Sequence, residues 1–239
     1  MRWATALARR WLLFRSFQLF AVAVILTAPI SSAGAGAPLV LADPTVMLQQ
    51  AWTHQSFGTA THYETVTVDG VPAIRAIGRE SASGLYRDTP YRVEEHPWLE
   101  WTWRVDQLQR TADIRVKSRE DFAAAIFLIF GHPSMINRDV PTLAYVWTSD
   151  RVPAGAVVNS PHHPGSVRSV VVRSGGAHLG RWMHERRNVL DDFRRAFGQE
   201  PLDAVEIVAL FTDSDQTGEP VEAYYGAIGA LPSDPADAQ

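Results

Sequence analysis

The most suggestive chemical pattern in the chain is the run D-S-D-Q-T-G at residues 213–218. Asp213, Asp215 and Thr217 occupy alternate positions from which their oxygen atoms could bind a cation, and a glycine follows. This matches the first half of a calcium loop, in which hard oxygen ligands wrap a hard cation and the glycine permits the bend. The second half is missing, because Tyr224 stands where such a loop needs a bidentate glutamate. Structural calcium at these three residues is one expectation, and a polar turn held by its aspartate side chains is the other.

Glu100 and Asp121 are the candidates for a catalytic pair of carboxylates, because they stand at comparable ends of two predicted strands. A saccharide hydrolase needs such a pair, one carboxyl to protonate the leaving group and one to act as base or nucleophile. The alternative is structural, with Glu100 paired to Arg104 on the same strand face or to an arginine of a neighbouring strand. The chain has no nucleophile elbow, phosphate loop or dinucleotide fingerprint. The sequence therefore favours a non-catalytic protein, with the hydrolase as the alternative.

A third pattern combines aromatic rings with polar groups, as sugar-binding surfaces do. There, a ring packs on a pyranose while polar side chains bond its hydroxyls. The side chains expected to form such a surface are Trp98, Glu100, Arg104, Tyr145, Trp147 and Asn159. The alternative for each aromatic residue is burial in the core. The pattern predicts a ligand-binding protein whose partner is a glycan or another cell-envelope component, and an envelope scaffold is a further alternative.

Composition excludes several classes of function. The chain has no cysteine, which rules out disulfides, thiol catalysis and thiolate metal sites. Its net charge is -4 and Lys117 is its single lysine, so no basic surface for nucleic acid is expected. The adjacent His162 and His163 lack a carboxylate at metal-ligand spacing and are expected in a surface loop rather than a zinc site.

The first residues have the pattern of a secretory signal peptide. Arginines precede a short apolar run at 17–28, and small residues follow it. We expect residues 1–33 to be cleaved after export by the Sec route, leaving no membrane span, in a periplasmic or secreted protein; a single membrane anchor and the twin-arginine route are the alternatives. Residues 34–42 are expected as a linker, 43–231 as one domain and 232–239 as a disordered tail.

The elements that must position these residues are mostly strands. Residues 98–105 alternate, with two tryptophans on the face expected to be dry. Asp69-Gly70 joins two β-branched runs, which predicts a hairpin. The continuous apolar run at 121–130 predicts a strand covered on both faces.

Helical signals are few. Residues 187–197 carry an apolar stripe between Asn188, a capping residue, and Gly198, a stop signal. Residues 43–52 open with Asp-Pro and predict a second short helix or an edge segment. Many short strands and one clear helix at about 187–197 predict an all-β sandwich or jelly roll.

The chain resembles the DUF3047 family, exported bacterial proteins of uncharacterised function. The residues that carry the resemblance are 99–105, 120–124, 143–147, 187–189 with 192–193 and 197–198, 212–218 and 223–226. Ala125 stands where the family pattern has an arginine, and Glu120 stands where it has an aspartate. The resemblance implies a galactose-binding-like or related jelly roll and no established activity.

Overall fold

A computed structural model describes residues 36–50, 52–133 and 139–232 of the chain. The predicted signal peptide and all but the first residue of the predicted tail lie outside these ranges. No helix in the described part of the chain is long and apolar enough to cross a membrane. The strands are β1 (Leu39–Ala42), β2 (Thr53–Ser56), β3 (His62–Val68), β4 (Val71–Gly78), β5 (Ala82–Tyr91), β6 (Trp98–Gln107), β7 (Phe122–Phe130), β8 (Thr142–Thr148), β9 (Val157–Asn159), β10 (Val167–Ser174), β11 (Met183–Asn188), β12 (Val205–Asp213) and β13 (Val221–Leu231).

Two sheets pack face to face, which confirms the predicted jelly-roll type of β-sandwich. The first sheet has the order β11-β6-β13-β4-β3, with β1 also paired to β13. The second sheet has the order β2-β5-β12-β7-β8-β10-β9. Neighbouring strands in the described chain are antiparallel except β8 and β10, which run parallel.

The main core lies between the sheets and is centred on β6. Its side chains alternate strictly, with Trp101 and Trp103 almost fully buried and the intervening residues partly exposed. Trp101 packs against Tyr145 of the second sheet with 5.2 Å between ring centres, and Trp103 packs against Trp147 at 5.8 Å. The dry face predicted for this strand therefore joins the two sheets.

The predicted hairpin turn at Asp69-Gly70 and the predicted helix near residues 187–197 are both present in the structure. Asp69 and Gly70 both adopt positive φ, 51° and 80°, which matches the two-residue turn favoured between twisted strands. The α-helix of the described residues, α1 (Val189–Phe197), begins after Asn188, whose side chain accepts a hydrogen bond from the backbone N–H of Asp191 at 3.1 Å. The helix ends at Gly198, with φ of 71°.

A second apolar cluster covers the outer face of the second sheet. Every residue of β7 and β8 is buried, so these strands have dry surfaces on both sides. The outer cluster includes Phe122, Phe127 and Phe211 from the strands, and segments outside the strands add Ile114 and Val152. The continuous apolar run at 121–130 is explained by this double coverage.

The start of the sandwich differs from the sequence prediction. Residues 39–42, expected as linker, form β1, because Leu39 pairs with Ala230 of β13 and extends the first sheet. Residues 43–52, expected as a short helix or an edge segment, contain no α-helix among their described residues and have a 3-10 turn at Met47–Gln49. Met47 is fully buried, so this turn closes one end of the core instead of forming an exposed amphipathic helix.

Candidate functional site

A groove of about 530 Å³ lies on the outer face of the second sheet. This volume falls within the range of roughly 300–1,000 Å³ that is usual for small-ligand sites. The apolar side chains that line it are Phe57, Ala82, Phe122, Phe127, Ile129, Pro133, Val140, Val167 and Phe211. Its polar lining is Lys117, Glu120, Thr142, Ser160, His162, His163, Ser166, Ser169, Asp213, Asp215 and Gln216.

Phenylalanine rings form the floor of the groove. The ring centres of Phe122 and Phe211 are 5.7 Å apart, and those of Phe127 and Phe211 are 6.0 Å apart with perpendicular planes. Phe57, from the segment after β2, approaches Phe211 at 6.0 Å. Edge and tilted contacts of this kind are favourable arrangements of aromatic rings, so the floor is a packed surface.

The pairing of β7 with β12 brings distant carboxylates together. Asp213, the last residue of β12, is opposite Phe122 in this pair, which places it beside Asp121. Carboxylate oxygens of Asp121, Asp213 and Asp215 all lie within 4.8 Å of one another. Asp121 is fully buried and accepts hydrogen bonds from the N–H and hydroxyl of Thr217 at 2.7 and 2.6 Å. The 213–218 loop therefore folds over Asp121.

The proximity of these carboxylates and the burial of two of them affect the protonation of Asp121 and Asp213. Burial raises the pKa of Asp213 well above its ordinary value, and the charges of Asp121 and Asp215 raise it further. Burial also raises the pKa of Asp121, although hydrogen bonds from Thr217 oppose that effect. The folded protein therefore favours a proton or a cation at this cluster.

Glu120 and His162 form a second polar pair in the groove. The side chain of Glu120 is 10% exposed, and burial raises its pKa to about 7. His162 Nε2 lies 3.6 Å from Glu120 Oε2 and 3.0 Å from the carbonyl oxygen of Lys117. The backbone N–H groups of His162 and His163 both donate to Ser160 Oγ at 3.2 Å. The loop expected to be an exposed surface feature is therefore partly buried and forms a wall of the groove.

The structure changes the ligand set expected for calcium. Thr217 donates its hydroxyl to Asp121, whereas Asp121 itself lies within reach of Asp213 and Asp215. A cation at this place would meet three carboxylates, with Asp121 in the position that the sequence pattern gave to Thr217. This difference in the ligand set arises from the tertiary structure, because Asp121 comes from a distant part of the chain, immediately before β7.

We predict that calcium raises the melting temperature of the protein and that Asp213→Asn removes this effect. A ligand that binds only the folded state adds about 2.7 kcal/mol at 100 times its Kd, which corresponds to several degrees for a chain of this size. Differential scanning calorimetry in CaCl₂ and in EDTA measures the shift. Asp69→Asn, at the exposed hairpin turn, is the control. An equal shift in wild type and in Asp213→Asn would contradict the prediction.

The expected catalytic pair is not formed. Glu100 projects from the outer face of the first sheet, while Asp121 immediately precedes β7 of the second sheet. Glu100 Oε1 is 3.3 Å from Arg186 Nε, its directly opposite residue on β11, and the carboxylate is 3.9 Å from His184. The structural alternative with a cross-strand arginine is therefore the one observed. The strands of the two carboxylates are not neighbours, which removes the geometric basis of that hydrolase proposal.

The expected six-residue binding surface is also not formed. Tyr145 and Trp147 are 0% and 1% exposed in the core between the sheets. Asn159 lies on β9, at the edge of the second sheet, whereas Trp98 and Arg104 lie on the outer face of the first. Alternation along a strand separates two faces but does not say which face meets the other sheet.

Arg104 is occupied by other contacts. Its guanidinium pairs with Asp106 at 2.6 Å and with Asp69 at 2.7 Å, and it lies 5.7 Å from the ring centre of Tyr224. These contacts hold the side chain along the first sheet. They leave it far less available to a ligand than an unpaired arginine would be.

Sequence reasoning missed the phenylalanine floor and Glu120. The continuous apolar run at 121–130 could have indicated the floor. A strand that is buried on both faces needs the partner sheet on one face and other segments of the chain on the other face. Among the described residues, the covering segments come from separate parts of the chain, around Phe57, Ile114, Val140 and Val152, and no local spacing in the sequence indicates that they meet.

Comparisons with known proteins give a family and several solved structures of limited similarity. A family model described as a protein of unknown function matches residues 50–229. No curated protein matches the sequence. A family 11 carbohydrate-binding module of a cellulosomal cellulase of Clostridium thermocellum is similar in structure, with 10% identity, 84% of this chain and 97% of that chain covered, and a TM-score of 0.44. The family 12 endoglucanase 3 of Trichoderma harzianum gives 8% identity, coverage of 76% and 98%, and a TM-score of 0.41.

Proposed function

The chain belongs to the DUF3047 family, and we propose that it binds a saccharide in the groove on the outer face of its second sheet. The observation that carries the proposal is the combination, in one cavity of about 530 Å³, of an aromatic floor with a polar wall. The C–H faces of a sugar ring pack on aromatic side chains, and its hydroxyls need hydrogen-bond partners. Asp215 and Gln216 are exposed; Gln216 Nε2 donates to Asp215 Oδ1 at 2.8 Å, and the remaining polar atoms of the two side chains offer acceptors and a donor to a ligand.

The outer face of the first sheet is less suited to binding a sugar than the groove is. Its polar side chains are already paired with one another: Arg75 with Glu64 and Glu222, and Arg104 with Asp106. Hydroxyls of a ligand would have to displace these ion pairs. The groove instead contains polar groups at the edge of an apolar floor, which is the usual composition of a small-ligand site.

The scaffold alternative would need a large exposed apolar patch. Among the residues that the structure describes, the exposed large apolar side chains are Val40, Leu48, Leu179 and Leu202, which come from separate segments of the chain. We therefore favour a ligand in the groove. The export proposed for residues 1–33 would deliver the groove to the cell envelope, so envelope glycans are the first ligands to test.

We predict that Asp215→Asn and Gln216→Ala each weaken glycan binding by about tenfold, because each removes a hydrogen bond worth about 1 kcal/mol or more. Isothermal titration calorimetry of the purified protein with a panel of envelope oligosaccharides measures the Kd. Glu100→Gln is the matched control, because it alters a carboxylate on the opposite outer face of the sandwich. Absence of binding across the panel, or an equal loss in Glu100→Gln, would overturn the proposed function.

A further inference from the structure

One end of the groove has more negative charge than its surroundings balance. Asp213 and Asp215 line it, and carboxylate oxygens of these two residues and of the buried Asp121 lie within 4.8 Å of one another. Among the described lining residues, Lys117 is the only one with a permanently cationic side chain. Burial lowers the pKa of His163, so its imidazole is neutral at pH 7. This imbalance contrasts with the first sheet, where carboxylates are paired with arginines.

A buried hydrogen-bond acceptor without a partner among the described residues lies next to Asp213, on the side chain of Gln109. Gln109 is fully buried, and its Nε2 donates to the carbonyl oxygen of Asp213. Its Oε1 has no hydrogen-bond partner among the described residues. Asp121, Asp213 and Asp215 make no ion pair with lysine or arginine within the described ranges. The three carboxylates accept hydrogen bonds from the 213–218 loop, but no positive charge balances them. Uncompensated charge in a partly buried place is costly, so a cation with several hydrogen-bond donors would complement this end of the groove.

We infer that the saccharide bound in this groove carries a free amino group, whose ammonium form binds between Asp213 and Asp215. The inference rests on the proposed function and names the class of sugar. An ammonium group is a compact charge with three donors and no acceptor, which complements carboxylate oxygens that lie within 4.8 Å of one another. An acetylated amine has no charge and only one N–H, so it cannot supply the same contacts.

The test compares two oligosaccharides that differ only in this group, the glucosamine hexamer and the N-acetylglucosamine hexamer. Titration calorimetry is run on the purified protein in EDTA. The glucosamine hexamer should bind at least tenfold more tightly, with affinity that falls as salt rises. Asp215→Asn should remove this preference, because it removes one charge and leaves the shape of the groove unchanged.

Nonspecific attraction of a cationic oligomer to an acidic protein is controlled by Glu100→Gln, which has the same charge change on the far face and should keep the preference. An equal loss in the two variants would overturn the inference. Tighter or equal binding of the acetylated hexamer would also overturn it and leave the proposed function in place. Binding of the glucosamine hexamer only when calcium is supplied would assign the cation to a metal and overturn the inference. Failure of both hexamers and of the envelope panel would overturn the proposed function itself.

Discussion

Replacing Trp103 by alanine is expected to lower the free energy of unfolding by about 3–5 kcal/mol, the range typical of a fully buried large aromatic residue. Trp103 is 0% exposed and contacts Trp101 in its own sheet and Trp147 in the facing sheet. Its indole N–H donates to Glu185 Oε1 at 3.1 Å, and Arg173 Nε binds the same oxygen at 2.6 Å. The substitution therefore opens a cavity between the sheets and removes one partner of a buried carboxylate. Denaturation in guanidinium chloride measures the change.

Trp98→Ala is the matched control, because it is the same substitution in the same strand. Trp98 lies on the partly exposed face, where the guanidinium of Arg186 covers its ring at 4.6 Å. An exposed contact of this kind contributes no more than about 1 kcal/mol. Equal losses of stability in the two variants would show that the inner face of β6 does not carry the core that joins the sheets.

Glu120→Gln is expected to make the protein more stable at pH 8 and to leave its stability unchanged at pH 4. Burial raises the pKa of Glu120 from an ordinary value of 4.5 to about 7. The folded state therefore holds this proton more tightly than the unfolded state does. The stabilising contribution is fully present below pH 4.5 and is lost as the pH rises through about 7. The difference between wild type and variant should reach about 3 kcal/mol, from 1.36 kcal/mol for each pKa unit.

Glu219→Gln provides a control of opposite sign. Burial alone would raise the pKa of Glu219, but hydrogen bonds from the hydroxyl of Thr111 and from the backbone N–H groups of Arg110 and Thr111, the last two at 2.8 and 3.0 Å, lower it. Its contribution is present above the unfolded pKa and is lost as the pH falls, so this variant should be less stable than wild type at pH 8, and the difference should begin to shrink as the pH falls below 4.5. Urea denaturation in EDTA from pH 4 to pH 8 measures both slopes. A Glu120→Gln curve parallel to that of wild type would contradict a buried, neutral Glu120.

The parts of the fold that could be predicted are those that depend on neighbours in the chain. The hairpin at Asp69-Gly70 follows from the positive φ that its turn requires, and α1 follows from Asn188 and Gly198 at its two ends. Alternation identified the dry face of β6 in the same way. In each case the signal and the structure lie within about ten residues of each other.

The candidate site depended on contacts that no local pattern contains. Asp121 and Asp213 are brought together by the pairing of β7 with β12, and Phe57 reaches Phe211 from a different edge of the same sheet. The catalytic pair of Glu100 and Asp121 failed for the same reason, since the two residues belong to different sheets.

The sequence by itself determined the class of fold, the positions of most strands and the presence of an oxygen-rich loop at residues 213–218. Periodicity and turn chemistry act over a few residues, so a reader of the chain can recover them. Only the tertiary structure decided that Tyr145 and Trp147 are core and that Asp121 joins the acidic loop. The position of the groove on the second sheet also depends on the tertiary structure. Side chains that are far apart in the chain determine which strands pair and which face of a sheet is covered.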